Sequence, residues 1–315
     1  MGDFEVLQIC EVMQTLNESY DTRFSNVEFN RDGGSLSYVL TDGESKYFLR
    51  IIRPELMETA YQSIDIHMYL TSEGFPVPKI VLAKQGKPYI QIHNREKTNL
   101  YVLYEYIEGG EPAHEDAAAV GELVGHLHTV MARYPGELKF RDKDFFIDRY
   151  VSILKSKNHV LSGAYERIGE RLWDKVKHMP RGYCHCDLYP GNIHKSKDGQ
   201  LYVLDFDTSC NGFPMFDITL FCGEIDYFKY TDEGFEQSKK QLERFLEGYK
   251  KHRMPTKEEI EAFYFLEAIN HFQLQATIVE IYGLDCNEAD FEEKQLDWIV
   301  KWLQRAKEEV AHDIV

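Results

Sequence analysis

Strand-like runs open the hydrophobic pattern. Residues 26–30, 38–41 and 46–53 read as three strands, the first two separated by Arg-Asp-Gly-Gly-Ser and the last two by the Asp42-Gly43 step that favours a hairpin. Over 54–72 the period turns helical, with Ile64, Met68 and Leu70 among its apolar positions, until Gly74, Pro76 and Pro78 stop it. Strand-like runs return at 81–83, 89–93 and 100–107, with Gly86-Lys87-Pro88 as a turn between the first two. The pattern up to residue 106 predicts a small sheet with one helix.

Glu108-Gly109-Gly110-Glu111-Pro112 combines flexible and helix-breaking residues, and the spacing beyond it is helical. Two domains are expected, 1–106 and 107–315. Helices are predicted within 115–132, 145–179, 236–251, 257–282 and 291–310. Residues 183–207 interrupt them as loop, short strand, Asp-Gly turn and strand. The expected class is α+β.

Composition narrows the partners. The 315 residues carry 36 Lys+Arg against 53 Asp+Glu, a net charge of −17 that opposes a polyanionic nucleic acid. No apolar stretch approaches the ~20 residues of a membrane helix, and the start, Met-Gly-Asp-Phe-Glu-Val, lacks the basic region and apolar core of a secretory signal. A cytoplasmic protein with neither nucleic-acid nor membrane partners is expected. Six cysteines, at 10, 184, 186, 210, 222 and 286, are too few and too scattered for a disulfide framework. Cys184 and Cys186 lack a second Cys/His pair at zinc-ligand spacing and read as small buried residues flanking a loop.

The chemistry concentrates in the interruption. His185, Asp187 and Asn192 fit H-x-D-x-x-x-x-N, and Asp205 opens Asp-Phe-Asp after the next strand. A loop carboxylate can orient or accept the proton of an attacking hydroxyl. An amide oxygen five residues on and a carboxylate beyond the hairpin can share Mg²⁺ on nucleotide phosphates, because that hard cation prefers oxygen ligands. Asp32-Gly33-Gly34-Ser35 reads either as a surface hairpin or as a flexible loop whose backbone N–H groups approach phosphates, with Gly34 and Ser35 as the candidate contacts.

With these motifs the chain resembles the aminoglycoside phosphotransferase and choline kinase-like superfamily, relatives of protein kinases. The resemblance extends through Tyr47-Phe48-Leu49-Arg50, Gly74-Phe75-Pro76-Val77-Pro78, Leu103-Tyr104-Glu105-Tyr106-Ile107-Glu108-Gly109, Leu127-His128, the 185–192 loop, Asp205-Phe206-Asp207 and Phe216-Asp217. It implies a two-lobed protein kinase-like fold, with a small antiparallel N-terminal sheet and a larger, mainly helical C-terminal lobe. It further implies Asp187 as catalytic base, Asn192 and Asp205 as magnesium ligands, and the backbone at Glu105 and Ile107 as the adenine hinge. ATP or GTP would be the donor and a small hydroxyl compound the acceptor, either an aminoglycoside-type antibiotic or an amino alcohol such as choline, homoserine or hydroxylysine. Arg50 stands where such folds usually carry Lys, and its permanent charge suits it to steady the phosphates. The helix partner of that cation is unassigned: Ser63 falls where a Glu is usual. A nucleotide-binding pseudokinase acting as regulator or scaffold is the alternative.

Several residues carry plainer readings. His185 reads as a loop brace, Asp217 as a brace of the loop through its backbone or His185, and Asp207 equally as a metal contact or a turn residue. Asn270, Gln273, Thr277 and Glu280 recur along one side of the 257–282 helix and read as a solvent-facing edge or a cleft lining. Glu224, Asp226 and Glu267 are acids that could receive an ammonium group.

Overall fold

The computed structural model describes residues 3–32, 35–94, 97–223, 226–284 and 290–310. Its elements begin with α1 (Asp3–Ser19), β1 (Asn26–Asp32), β2 (Leu36–Thr41), β3 (Lys46–Ile52), α2 (Met57–Ser72), β4 (Ile90–Asn94), β5 (Lys97–Glu105) and β6 (Gly109–Gly110). They continue with α3 (Ala117–Met131), α4 (Arg149–Ser156), α5 (Ser162–Val176), β7 (Gly182–Cys184), β8 (Ile193–Ser196), β9 (Leu201–Val203) and β10 (Cys210–Gly212). The chain ends with α6 (Pro214–Cys222), α7 (Asp232–Tyr249), α8 (Lys257–Tyr282) and α9 (Phe291–Ala306). Two units result: Met1–Gly110 with His194–Thr208, and Glu111–Ile193 with Ser209–Val315. Among the described residues no helix is long and apolar enough to cross a membrane.

The first unit is built on a five-stranded antiparallel sheet, ordered β1-β2-β3-β5-β4. Side chains alternate across it, and both faces are covered. Leu49, Ile51, Tyr101 and Leu103 pack with Val12 and Leu16 of α1, whereas Ile52, Leu100, Val102 and Tyr104 pack with Ala60 and Ile64 of α2. Two covered faces explain why β5 buries five consecutive residues, Leu100 to Tyr104, instead of alternating with solvent. Helix α1 goes beyond the one helix that the pattern predicts here. Its signal lies in Val12, Leu16 and Tyr20, four residues apart and all buried.

The run at 81–83 is not a strand. β4 takes the edge of β5 along Lys97–Tyr101, so the 79–83 segment meets only the far end of β5. There Val81 N–H donates to Leu103 O at 2.8 Å and Glu105 N–H to Lys79 O at 2.8 Å. Ala83 instead bridges Lys87 and closes a turn in which Gln85 takes φ +72°.

The second unit is helical. α8 is buried on most sides, through Phe263, Phe265, Leu266, Ile269 and Phe272 among others, which accounts for its nearly continuous apolar sequence. It starts at a capping box: Thr256 Oγ1 accepts Glu259 N–H at 3.2 Å and Glu259 Oε2 accepts Thr256 N–H at 2.9 Å. α3 and α7 approach backbone to backbone through glycines, and a Cβ on Gly248 would lie 1.8 Å from Ala118 O. That spacing brings His128 of α3 within 2.8 Å of the Tyr249 hydroxyl of α7.

Gly248→Ala is expected to force these helices apart and lower stability by about 1–3 kcal/mol. Gly110→Ala, with open space around its Cβ, should stay within about 0.5 kcal/mol of the parent. Denaturant unfolding of both variants checks the pair.

Candidate active site

The loop after β7 is held by one buried carboxylate. β7 pairs with β10 and ends at Cys184, and α6 begins two residues past β10, which places Asp217 under the loop. Asp217 is fully buried and accepts His185 N–H on Oδ2 at 2.8 Å, Cys186 N–H on Oδ1 at 2.8 Å and the Cys184 thiol on Oδ1 at 3.2 Å. His128 Nε2–H donates to Asp217 Oδ2 at 3.0 Å. The Tyr249 hydroxyl accepts from Arg253 at 2.9 Å and gives its own proton to His128 Nδ1, which leaves Nε2–H for Asp217. Burial alone would raise the Asp217 carboxyl. The His128 hydrogen bond, the electrostatic influence of the two imidazoles and the His185 N–H outweigh it and hold the group below its ordinary value.

Asp187 and Asn192 meet on this loop. Pro190–Asn192 forms one 3₁₀ turn, and from its end Asn192 Nδ2 donates to Asp187 O at 2.7 Å and to Asp187 Oδ2 at 2.9 Å. The donor side of the amide is thereby engaged, and its oxygen is left as the acceptor. Asn192 is buried and Asp187 half-buried.

Arg50, Ser35 and Asp205 come together in the sheet unit. Arg50 Nη1 reaches Asp205 Oδ1 at 3.3 Å, and Nη2 reaches Asp207 Oδ2 at 2.7 Å and Ser35 Oγ at 3.5 Å. Burial disfavours the Arg50 charge, but Asp205, Asp207 and Tyr104 more than offset it and raise the guanidinium above its ordinary value. The cation's partner on α2 was left open by the sequence; its carboxylates come instead from the Asp-Phe-Asp segment. Asp207 is the residue whose part sequence reasoning missed, and its place two residues past Asp205 was the available signal. Ser63 and His67 of α2 are buried, and His67 packs edge-on to Phe206 with centroids 5.6 Å apart. Burial first, and then the Arg50 charge, bring His67 down to about 4, so it stays neutral. Asp205 lies at φ +56° and Cys186 at φ +67°, a left-handed conformation costing about 1–2 kcal/mol for a side-chain-bearing residue. Gly34 lies outside the described residues.

Glu105 closes β5, and the segment after it is braced on both sides: Tyr106 N–H donates to Lys46 O at 3.2 Å, and Lys46 Nζ reaches Glu108 Oε1 at 3.1 Å. Lys197 N–H donates to Glu108 O at 3.1 Å. Ile107 N–H has no backbone partner among the described residues.

Of the acids weighed for an ammonium group, Glu224 lies outside the described residues and Asp226 caps a turn, accepting Phe228 N–H at 2.7 Å. Glu267 on α8 differs. Its carboxyl lies against Gly223, where a Cβ would come within 2.9 Å of both oxygens; among the described residues Oε2 has no hydrogen-bond partner, and burial pushes the group up to about 8. Gly223 is six residues along α6 from Asp217, about 9 Å of helix axis. The polar edge of α8 is occupied by Arg149, which donates to Gln273 O at 3.0 Å and Thr277 Oγ1 at 2.7 Å.

The model of the phosphotransferase enzyme family matches residues 27–263, and the chain belongs to that family. Among curated relatives, homoserine kinase from Methylobacillus flagellatus is 24% identical over 189 residues, which is 58% of this chain and 58% of the relative, so the chain spans less than two thirds of that protein's length. Homoserine kinase from Zymomonas mobilis is 24% identical over 225 residues, 64% of this chain and 68% of the relative. Among solved structures, amicoumacin kinase hAmiN in complex with AMP-PNP, Ca²⁺ and Ami superposes with a TM-score of 0.72 at 19% identity and covers 99% of each chain. A microcompartment-associated aminopropanol kinase gives a TM-score of 0.67 at 17% identity over 96% of each chain. Choline kinase LicA from Streptococcus pneumoniae gives 0.63 at 17% identity, over 96% of this chain and 100% of its own. The fold is the protein kinase-like α+β fold that these structures share.

Asp217→Ala removes the acceptor of two buried N–H groups and of His128, and should cost about 3–5 kcal/mol in denaturant unfolding. Glu267 gives a pH signature. Its folded-state value is raised from 4.5 to about 8, so the native state holds a proton that the unfolded chain loses, and the stability this contributes is full below pH 4.5 and gone above pH 8. Unfolding free energy measured across that range should fall by an amount on the order of 4 kcal/mol more in the parent than in Glu267→Gln.

Proposed function

We propose that this chain transfers the γ-phosphoryl group of ATP, or of GTP, to a hydroxyl of a small acceptor, and that the acceptor is an amino alcohol. The observation that carries the reading is the Asn192–Asp187 pair on a loop whose backbone is tied to buried Asp217. The amide on Oδ2 fixes the Asp187 carboxylate, which takes the acceptor's proton as the acceptor oxygen bonds to phosphorus and the bond to the nucleoside diphosphate breaks. Arg50 lies against the phosphates, and its tie to Asp207 fixes the guanidinium plane before they arrive. The backbone at Glu105 and Ile107 takes the base, with Gly34 and Ser35 at the phosphate loop.

The Asn192 amide oxygen and the Asp205 carboxylate are the hard oxygen donors that suit Mg²⁺, and the amide's donor side is already engaged by Asp187. When bound, the ion would neutralise charge developing on the β- and γ-phosphate oxygens.

Glu267 supports the ammonium part of the reading. A buried acid whose Oε2 meets no hydrogen-bond partner among the described residues ionises most readily when a cation arrives, and the net charge of −17 attracts such acceptors. The homoserine kinase relatives and the aminopropanol and choline kinase structures point to the same acceptor class. Asp187 argues against a catalytically silent binder, which has no use for a proton acceptor.

An acceptor panel tests this, run with ATP and GTP and read by mass spectrometry for the phosphate ester. Homoserine, ethanolamine, aminopropanol, choline and hydroxylysine stand beside an aminoglycoside and the diols that lack nitrogen. An amino alcohol is expected to be turned over, and Asp187→Asn to lower kcat by roughly a hundredfold to ten-thousandfold. Equal turnover of the nitrogen-free diols would remove the ammonium part, and nucleotide binding without any product would remove the whole.

A further inference from the structure

Three thiols that the sequence keeps apart meet directly behind the 185–192 loop. Cys184 closes β7, Cys186 follows two residues later, and Cys210 opens β10 as the register partner of Cys184. Their sulfur atoms all lie within 4.8 Å of one another, and all three residues are buried. The cluster escaped the spacing rule because its third member comes from across a strand pairing and not from a second sequence pair.

Two further observations distinguish this cluster from thiols that merely fill space. Cys186 adopts φ +67°, a conformation that favours glycine, so a thiol is kept where the backbone disfavours any side chain. An oxygen donor is also in place: Asp217 Oδ1 is 3.2 Å from Cys184 Sγ. Ligands of a tetrahedral zinc-class ion at its usual bond lengths lie about 3.8 Å apart for two sulfurs and about 3.5 Å for sulfur and oxygen. The 3.2 Å contact is near the second spacing, and the 4.8 Å bound requires only modest closure of the sulfurs.

We propose that Cys184, Cys186 and Cys210 bind one thiophilic divalent cation of the zinc class, with Asp217 Oδ1 as a fourth ligand. Binding replaces the thiol protons, one released for each sulfur that becomes a thiolate ligand, so affinity rises with pH. The ion would tie β7, β10, α6 and the residue before Asp187 to one point. The site is independent of the acceptor and the nucleotide.

The test uses the full chain under a phosphine reductant, with Cd²⁺ as a spectroscopic probe and Zn²⁺ as its competitor. The expected result is a sulfur-to-cadmium charge-transfer band that saturates at one equivalent, is bleached by Zn²⁺, and is accompanied by a rise in Tm. Cys186→Gly is the informative variant, because glycine suits the local backbone and the fold should survive. It and Cys210→Ser should bind at least about tenfold more weakly and lose the rise in Tm. Absence of the band, or a band of parent strength in Cys186→Gly, would overturn the proposal.

Discussion

The geometry of the 185–192 loop depends on burying one negative charge. Asp217 has no solvent contact, and a carboxylate in such a place persists only if each oxygen is met by donors. The chain supplies two backbone N–H groups, a thiol and an imidazole. The demand runs both ways. The loop backbone would have orphaned N–H groups without the carboxylate, and the carboxylate would be intolerable without the loop, so the path of the backbone into Asp187 is fixed by a mutual requirement. Behind it, His128, Tyr249, Arg253 and Glu259 extend the support from α3 through α7 to the start of α8. The glycine-mediated approach of α3 and α7 is what permits that chain to close.

Charge in the sheet unit follows the same logic with the signs exchanged. Arg50 sits on a central strand and is largely buried, and two carboxylates from one short segment meet it. Asp207 and Asp205 hold the Arg50 fork in one plane, so under the proposed function an arriving phosphate would exchange partners with these carboxylates without creating a new buried charge.

The candidate chemistry was legible because phosphoryl transfer imposes residue types at fixed intervals, and a hairpin between Asn192 and Asp205 leaves its own turn signature in Asp198-Gly199. Most elements were legible for a related reason: Asp42-Gly43 marks a hairpin, and α8 was read with its observed limits because Pro255 and Gly283 bound an apolar run. What stayed hidden depends on tertiary placement. The carboxylate partners of Arg50 lie more than 150 residues away, as 155 and 157 separate them in sequence. The thiol cluster needs the β7–β10 pairing before it exists. The segment at 81–83 has strand-like residues but no free length of edge to pair with, so local preference loses to occupancy by β4.

The proposed function requires Asn192 and Asp205 to present oxygen atoms to one divalent ion beside the donor phosphates, and Asp187 to stay off the metal and face the acceptor. A crystal structure of the full chain with a non-hydrolysable ATP analogue, Mg²⁺ and an amino alcohol tests this most directly. The account predicts an ion coordinated by Asn192 Oδ1 and an Asp205 carboxylate oxygen, and an acceptor hydroxyl within hydrogen-bond reach of Asp187. An ion held by other residues, or an acceptor bound away from Asp187, would contradict it.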